Sequence, residues 1–170
     1  MKKSLLLVPF ALSTLMFAQH APSMSHLEKE VRHELVMLPR LNVFDNLEFR
    51  VDGSTVILTG QVTQPVLKSD AESVTKHIEG VTQVVNNIKV LPLSPNDDQI
   101  RRGVYMALVS KPGLQKYFMQ ALPSIRIVVD NGHVNLVGIV DNTGDFDIAK
   151  IAANGVPGVF SVDNSLRVEK

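Results

Sequence analysis

Five histidines, His20, His26, His33, His77 and His133, are the residues of this chain best suited to hold a metal or pass a proton near neutral pH. His26 and His33 stand seven apart, two helical turns rather than the four-residue spacing of a helical metal pair. No cysteine or acidic partner shares their spacing, so they read as a solvated helix face. His77 falls near a helix end, where it would favour the helix dipole. Asp141, Asp145 and Asp147 in "DNTGDFD" raise the question of calcium, but the longer ligand order and terminal glutamate of an EF-hand are absent. Helix capping and first-turn acid placement account for them. The chain contains no cysteine, which excludes disulfides, thiolate metal sites and a cysteine nucleophile. It also contains no Gly-rich phosphate loop and no Gly-x-Ser-x-Gly elbow. The expectation is a protein that is not an enzyme, with no catalytic residue, no metal and no cofactor.

Charge offers more. From Gln99 to Arg126 there is no acidic residue, while Arg101, Arg102, Lys111, Lys116 and Arg126 are all basic. Tyr117, Phe118 and Met119 sit among them. Cations beside exposed aromatic residues suit an anionic membrane surface, each contributing about 1 kcal/mol, with apolar groups entering the headgroup layer. Arg101, Arg102, Lys111, Lys116, Tyr117 and Phe118 are therefore the candidate lipid-binding residues. The competing reading has the aromatic residues capping a local core beneath a loop. Formal charge over the 170 residues is zero. Loss of Lys2 and Lys3 with an N-terminal segment would leave a slight acidic excess, which does not suit non-specific nucleic-acid binding.

The elements that must position these residues come from a duplication. "VDGSTVILTGQV" (51–62) lies over "VDNGHVNLVGIV" (129–140) at an offset of 78, and in the same register "GVTQVVNNIKV" (80–90) lies over "GVFSVDNSLRV" (158–168). Upstream, "VRHELVMLPRL" matches "VYMALVSKPGL" at an offset of 73, so the second copy carries five extra residues, "QKYFM" or its neighbours, before its first strand. Each copy reads as helix, strand, strand, helix, strand. Leu27, Val31, Leu35 and Leu38 give the first helical stripe, ended by Pro39; Ile100, Val104, Ala107 and Leu108 repeat it. Alternation in Leu47, Phe49 and Val51, and in Ile125, Ile127 and Val129, predicts strands. Pro65 opens the later helix of copy one, and Asn142 or Thr143 caps that of copy two.

Gly60 and Gly138 share parity with core-facing valines and leucines, which predicts a notch where a helix backbone approaches the sheet. Gly80 and Gly158 are expected to end the helices before them. Asn86 and Asn164 face inward and are expected to satisfy buried backbone groups. On the outer sheet face, copy two carries Val128, Val137 and Ile139 where copy one is mostly polar. An apolar outer face needs a cover, so these three form a candidate interdomain or partner face.

The opening "MKKSLLLVPFALSTLMFAQHA" has the charged-then-apolar order of a secretory signal peptide, expected over 1–18. Fourteen apolar-run residues, Leu5 to Ala18, fall short of the roughly 20 that span a bilayer. Domain 1 is expected over 25–91, a linker over 92–98 and domain 2 over 99–170.

The glycine in the second strand, with Val84, Asn86, Ile88 and Val90 in copy one and Val162, Asn164, Leu166 and Val168 in copy two, resembles the BON domain. The tandem arrangement behind a signal peptide is similar to the periplasmic BON proteins related to the osmotically induced protein Y. The resemblance implies an α+β fold of two tandem αββαβ domains, each a three-stranded sheet with two helices on one face. It also implies a non-enzymatic periplasmic protein that binds anionic phospholipid surfaces and supports the envelope under osmotic stress. The alternative function is a protein–protein interaction module that docks an envelope partner.

Overall fold

The computed structural model describes residues 25–169; the expected signal peptide lies outside them. Helix α1 (His26–Val36) starts at a reciprocal capping box, in which the Ser25 side chain accepts from the Glu28 amide and Glu28 reaches back to the Ser25 amide. Strands β1 (Asn46–Asp52) and β2 (Thr55–Val62) form an antiparallel hairpin. Helix α2 (Pro65–Lys76) carries the chain across, so that β3 (Gln83–Asn86) and β4 (Lys89–Val90) both run parallel to β2. Such parallel pairing requires a crossover, and the helix supplies it. The pairs Thr55–Gln83 and Gln61–Lys89 keep one register, so β3 and β4 are a single strand interrupted at Asn87 and Ile88.

The second unit repeats this order. Helix α3 (Pro95–Val109) is followed by a short 3-10 helix (Gln115–Phe118), then β5 (Ile125–Asp130), β6 (His133–Val140), α4 (Thr143–Asn154) and β7 (Ser161–Val168). Strand β7 pairs with β6 without interruption from Ser161 to Val168. The αββαβ order and two-sheet α+β class expected from the repeat are present. Helix α3 begins at Pro95, capped by Ser94, and so takes up half of the segment read as linker. Asn142 is the N-cap of α4, its side chain accepting from the Asp145 amide. The five extra residues of copy two account for the 3-10 helix.

Each unit has its own core. Val31, Leu35, Val56, Leu58, Leu67 and Ile88 fill the first; Val104, Leu108, Ile125, Ile127, Leu136 and Ala149 lie at the centre of the second. The two meet along the free edge of β5. The Ile127 amide donates to the Val43 carbonyl at 2.9 Å, Val43 and Phe44 pack onto the second core, and Lys89 pairs with Asp130.

Gly60 and Gly138 correct one expectation. A Cβ on Gly60 would stand 2.1 Å from the Asn46 carbonyl oxygen, and one on Gly138 would stand 1.9 Å from that of Ser124. The crowding backbone belongs to the neighbouring strand, not to a helix. Both residues hold positive φ, +109° and +139°, so each marks a twist where the hairpin partner enters. Close helix approach occurs instead at Gly103, where a Cβ would meet Val156 Cγ1 at 2.7 Å. Gly80 and Gly158 sit third in the turns Ile78–Val81 and Val156–Val159, each closed by a backbone hydrogen bond, beyond the helix end itself. Positive φ at that position is the geometry that favours glycine.

Candidate functional site

The paired asparagines do the same work in both copies. Asn86 Nδ2 donates to the Lys68 carbonyl at 2.9 Å, and Asn164 Nδ2 donates to the Phe146 carbonyl at 2.8 Å, each reaching back 18 residues. Their Oδ1 atoms accept from the amides of Ile88 and Leu166. Each asparagine therefore ties the last strand to the first turn of the preceding helix.

The basic segment is dispersed rather than gathered. Arg101 is 4% exposed; its guanidinium donates to the Asp98 carboxylate at 2.6 Å and to the Val129 carbonyl at 2.7 Å. It joins α3 to β5 and is unavailable to a membrane. Tyr117 is 5% exposed, so it too is withdrawn from the lipid-binding set. Phe118 is half-buried against the second core and meets Tyr105 edge-on at 5.5 Å, and Tyr105 in turn meets Phe44 at 6.4 Å. This aromatic seam joins the domains. Lys116 is exposed but pairs with Asp141 at 2.6 Å and Asp145 at 3.1 Å, which raise its pKa. Arg102 and Lys111 are exposed and make no ion pair among the described residues. Met119 is 83% exposed.

Tyr117 has a structural duty that charge counting missed. In copy one, the buried Asp45 carboxylate accepts from the Thr63 amide at 2.7 Å, the Thr63 hydroxyl at 2.8 Å and the Asn42 amide at 3.1 Å. The repeat places Asp141 where Thr63 stands, and its amide donates to the Tyr117 hydroxyl at 2.8 Å. That hydroxyl donates in turn to Asp145 at 2.6 Å. The inserted 3-10 helix thus replaces an aspartate with a tyrosine at the same backbone amide. The Tyr117 hydroxyl, then Lys116 and Asn142, hold the Asp145 carboxyl below its ordinary pKa against the opposing effect of burial. A depressed folded-state pKa gives stability that is present above about pH 4 and lost as pH falls through the folded value. Tyr117→Phe is expected to cost about 2 kcal/mol at neutral pH, because a buried carboxylate and a part-buried amide lose their partner. In urea unfolding, its deficit relative to wild type should shrink in acid.

A second buried carboxylate was also missed. Asp97, 1% exposed, accepts from the amides of Asn131 at 2.9 Å and Gly132 at 2.8 Å, and so fixes the β5–β6 turn. The sequence signal was the "NDD" run, which composition assigned to a linker.

Of the candidate partner face, Val128 is 2% exposed, Val137 is half-buried and Ile139 is 42% exposed. Val128 lies between Arg126, which donates to the Asn42 carbonyl at 3.4 Å, and Asp130, which pairs with Lys89. Both flanking residues touch the first domain.

The helical faces of the two units differ in character. Between α1 and α2 lies a groove lined by His26, Glu30, Glu34, Val74, His77 and Glu79. The matching groove between α3 and α4, about 450 Å³, is lined by Gly103, Ala107, Lys111, Ile151, Gly155 and Pro157. Ile151 is 71% exposed, and Met106, one turn beyond Arg102 on α3, is 64% exposed. Lys150 is exposed on α4, as is Asp147. No group of His, Asp and Glu suited to a metal occurs among the described residues, and none of their helices is long and apolar enough to cross a membrane.

Two sheets with paired helices, each built on the same glycine and asparagine pattern, define a tandem α+β architecture. The BON domain matches residues 23–92 and again 96–170, and the chain belongs to the BON domain family. BON domains are associated with the cell envelope and with phospholipid binding. Among solved structures, the C-terminal domain of CdsD, titled the structural protein of the type III secretion system of Chlamydia trachomatis, is similar at 12% identity. It covers 88% of this chain and 100% of its own, with a TM-score of 0.31. A second structure of CdsD is similar at 13% identity, covering 85% of this chain and 93% of its own, with a TM-score of 0.29. No curated protein matches the chain.

Proposed function

We propose that this protein is a non-enzymatic module of the periplasmic envelope whose second domain docks on anionic phospholipid through the outer face of α3 and α4. The supporting observation is the contrast between equivalent grooves: Glu30, Glu34 and Glu79 line the first, while Lys111 and Ile151 line the second, beside Arg102 and Met106. An anionic surface repels the first and attracts the second. Met106 and Ile151 supply apolar side chains that enter the headgroup layer, and Arg102, Lys111 and Lys150 supply the charge around them. Each basic residue contributes about 1 kcal/mol near such a surface, so attachment is weak and reversible. A role in osmotic-stress protection, as in the proteins related to the osmotically induced protein Y, is consistent with this placement.

The purified protein is expected to co-sediment with vesicles containing phosphatidylglycerol, and to release as salt shortens the reach of its charges. Arg102→Glu with Lys111→Glu should reduce the bound fraction at least about tenfold, since two favourable contacts become repulsive. Undiminished sedimentation of that double variant, folded as judged by its unfolding curve, would remove this face from the proposal.

A further inference from the structure

A cleft of about 160 Å³ opens between the domains. Leu35 of α1, Leu47 and Phe49 of β1, and Leu122 of the segment before β5 give it apolar walls. Arg32 and Arg126 stand in its lining, one from each domain. Leu122 comes from the stretch between the 3-10 helix and β5.

Arg126 is the anomaly. It is partly buried, and a guanidinium carries five N–H donors. Its one hydrogen bond among the described residues is the 3.4 Å contact to the Asn42 carbonyl, and no carboxylate lies within ion-pair distance. Burial pulls the guanidinium below its ordinary pKa, and the charge of Asp45 only opposes this from a distance. Asp45 also lines the cleft, but both its oxygens are engaged by Thr63 and Asn42. Arg32 is exposed and has no ion pair among the described residues. A partly desolvated cation with unspent donors, beside apolar side chains, is complementary to an anion that carries its own apolar body.

We infer that this cleft binds a short-chain anionic amphiphile. Its carboxylate lies between Arg126 and Arg32, and its alkyl body lies against Leu35, Leu47, Phe49 and Leu122. The cleft is small, about 160 Å³, which favours one short chain over a two-chain lipid. The site is separate from the α3–α4 face, and its ligand is a dissolved monomer rather than a bilayer.

The test is a titration of sodium octanoate, without vesicles, into the isotope-labelled full chain, followed by amide chemical shifts. Saturable shifts are expected at Leu35, Leu47, Leu122 and Arg126. Octanol, which has the same body without the charge, should bind about tenfold more weakly or worse, as should Arg126→Gln and, separately, the exposed and fold-neutral Arg32→Gln, because each loses a charge-assisted contact. Arg102→Glu with Lys111→Glu should titrate as wild type. Equal affinity for octanol, shifts clustered elsewhere, or full octanoate affinity in Arg32→Gln would each overturn the assignment.

Discussion

Gly138→Ala is expected to unfold or nearly unfold the second domain, and Gly60→Ala to do the same to the first. The added methyl carbon would stand 1.9 Å from the Ser124 carbonyl oxygen in one case and 2.1 Å from that of Asn46 in the other. Both obstacles are backbone of the paired strand, which no rotamer change can move aside. The φ values of +139° and +109° add strain that an L-residue avoids. Strain of this kind alone costs on the order of 1–3 kcal/mol. With the clash, the loss should reach at least about 4 kcal/mol, an exceptional value for one substitution against a domain stability of about 5–15 kcal/mol. Urea unfolding of the full chain reads this directly. Gly53, which has open space around it, is the matched control: alanine there meets the positive-φ cost without the collision and should lose about 1 kcal/mol. Equal losses at Gly53 and Gly138 would show that the strand carbonyl does not matter.

Arg101→Glu is the second large effect, and it separates structural charge from surface charge. Reversal would set a carboxylate against the Val129 carbonyl and the Asp98 carboxylate, the two groups that Arg101 now joins. Asp98 is half exposed, so the cost comes from burying an unpartnered carboxylate where Arg101 now stands, about 3 kcal/mol. Arg102→Glu, its neighbour on the exposed side of α3, should change stability by no more than about 0.5 kcal/mol. The two variants should therefore diverge in opposite assays. Arg101→Glu should lose thermal stability, while Arg102→Glu should keep it and lose vesicle attachment. A stable Arg101→Glu protein would contradict the burial of that side chain.

The fold was legible because its signals are local. Helical stripes such as Leu27, Val31 and Leu35, caps such as Asn142, and turns such as Asp52-Gly53 depend on neighbours a few residues away, and the repeat reads each of them twice. Asn86 and Asn164 were legible in kind, since an inward amide needs a backbone partner, and both found one on a helix. The site was far less legible. Whether Arg101 points outward depends on a carbonyl 28 residues later, and Tyr117 is buried because Asp141 and Asp145 meet its hydroxyl across the same distance or nearly so. Linear charge density registers neither. Strand parity grouped Gly60 and Gly138 with the core-facing residues, but their positive φ aims the absent Cβ at the paired strand, which parity cannot register.

The hydrogen bond from Ile127 to Val43 and the seam of Phe44, Tyr105 and Phe118 bear on how the duplicated halves have aged. A freshly copied unit owes nothing to its twin. Here one half finishes the sheet margin of the other and roofs its aromatic residues, so autonomy has been exchanged for mutual dependence. Excising either half for biochemistry would expose surfaces that the intact chain never shows, and the fragment would report on those wounds as much as on the domain.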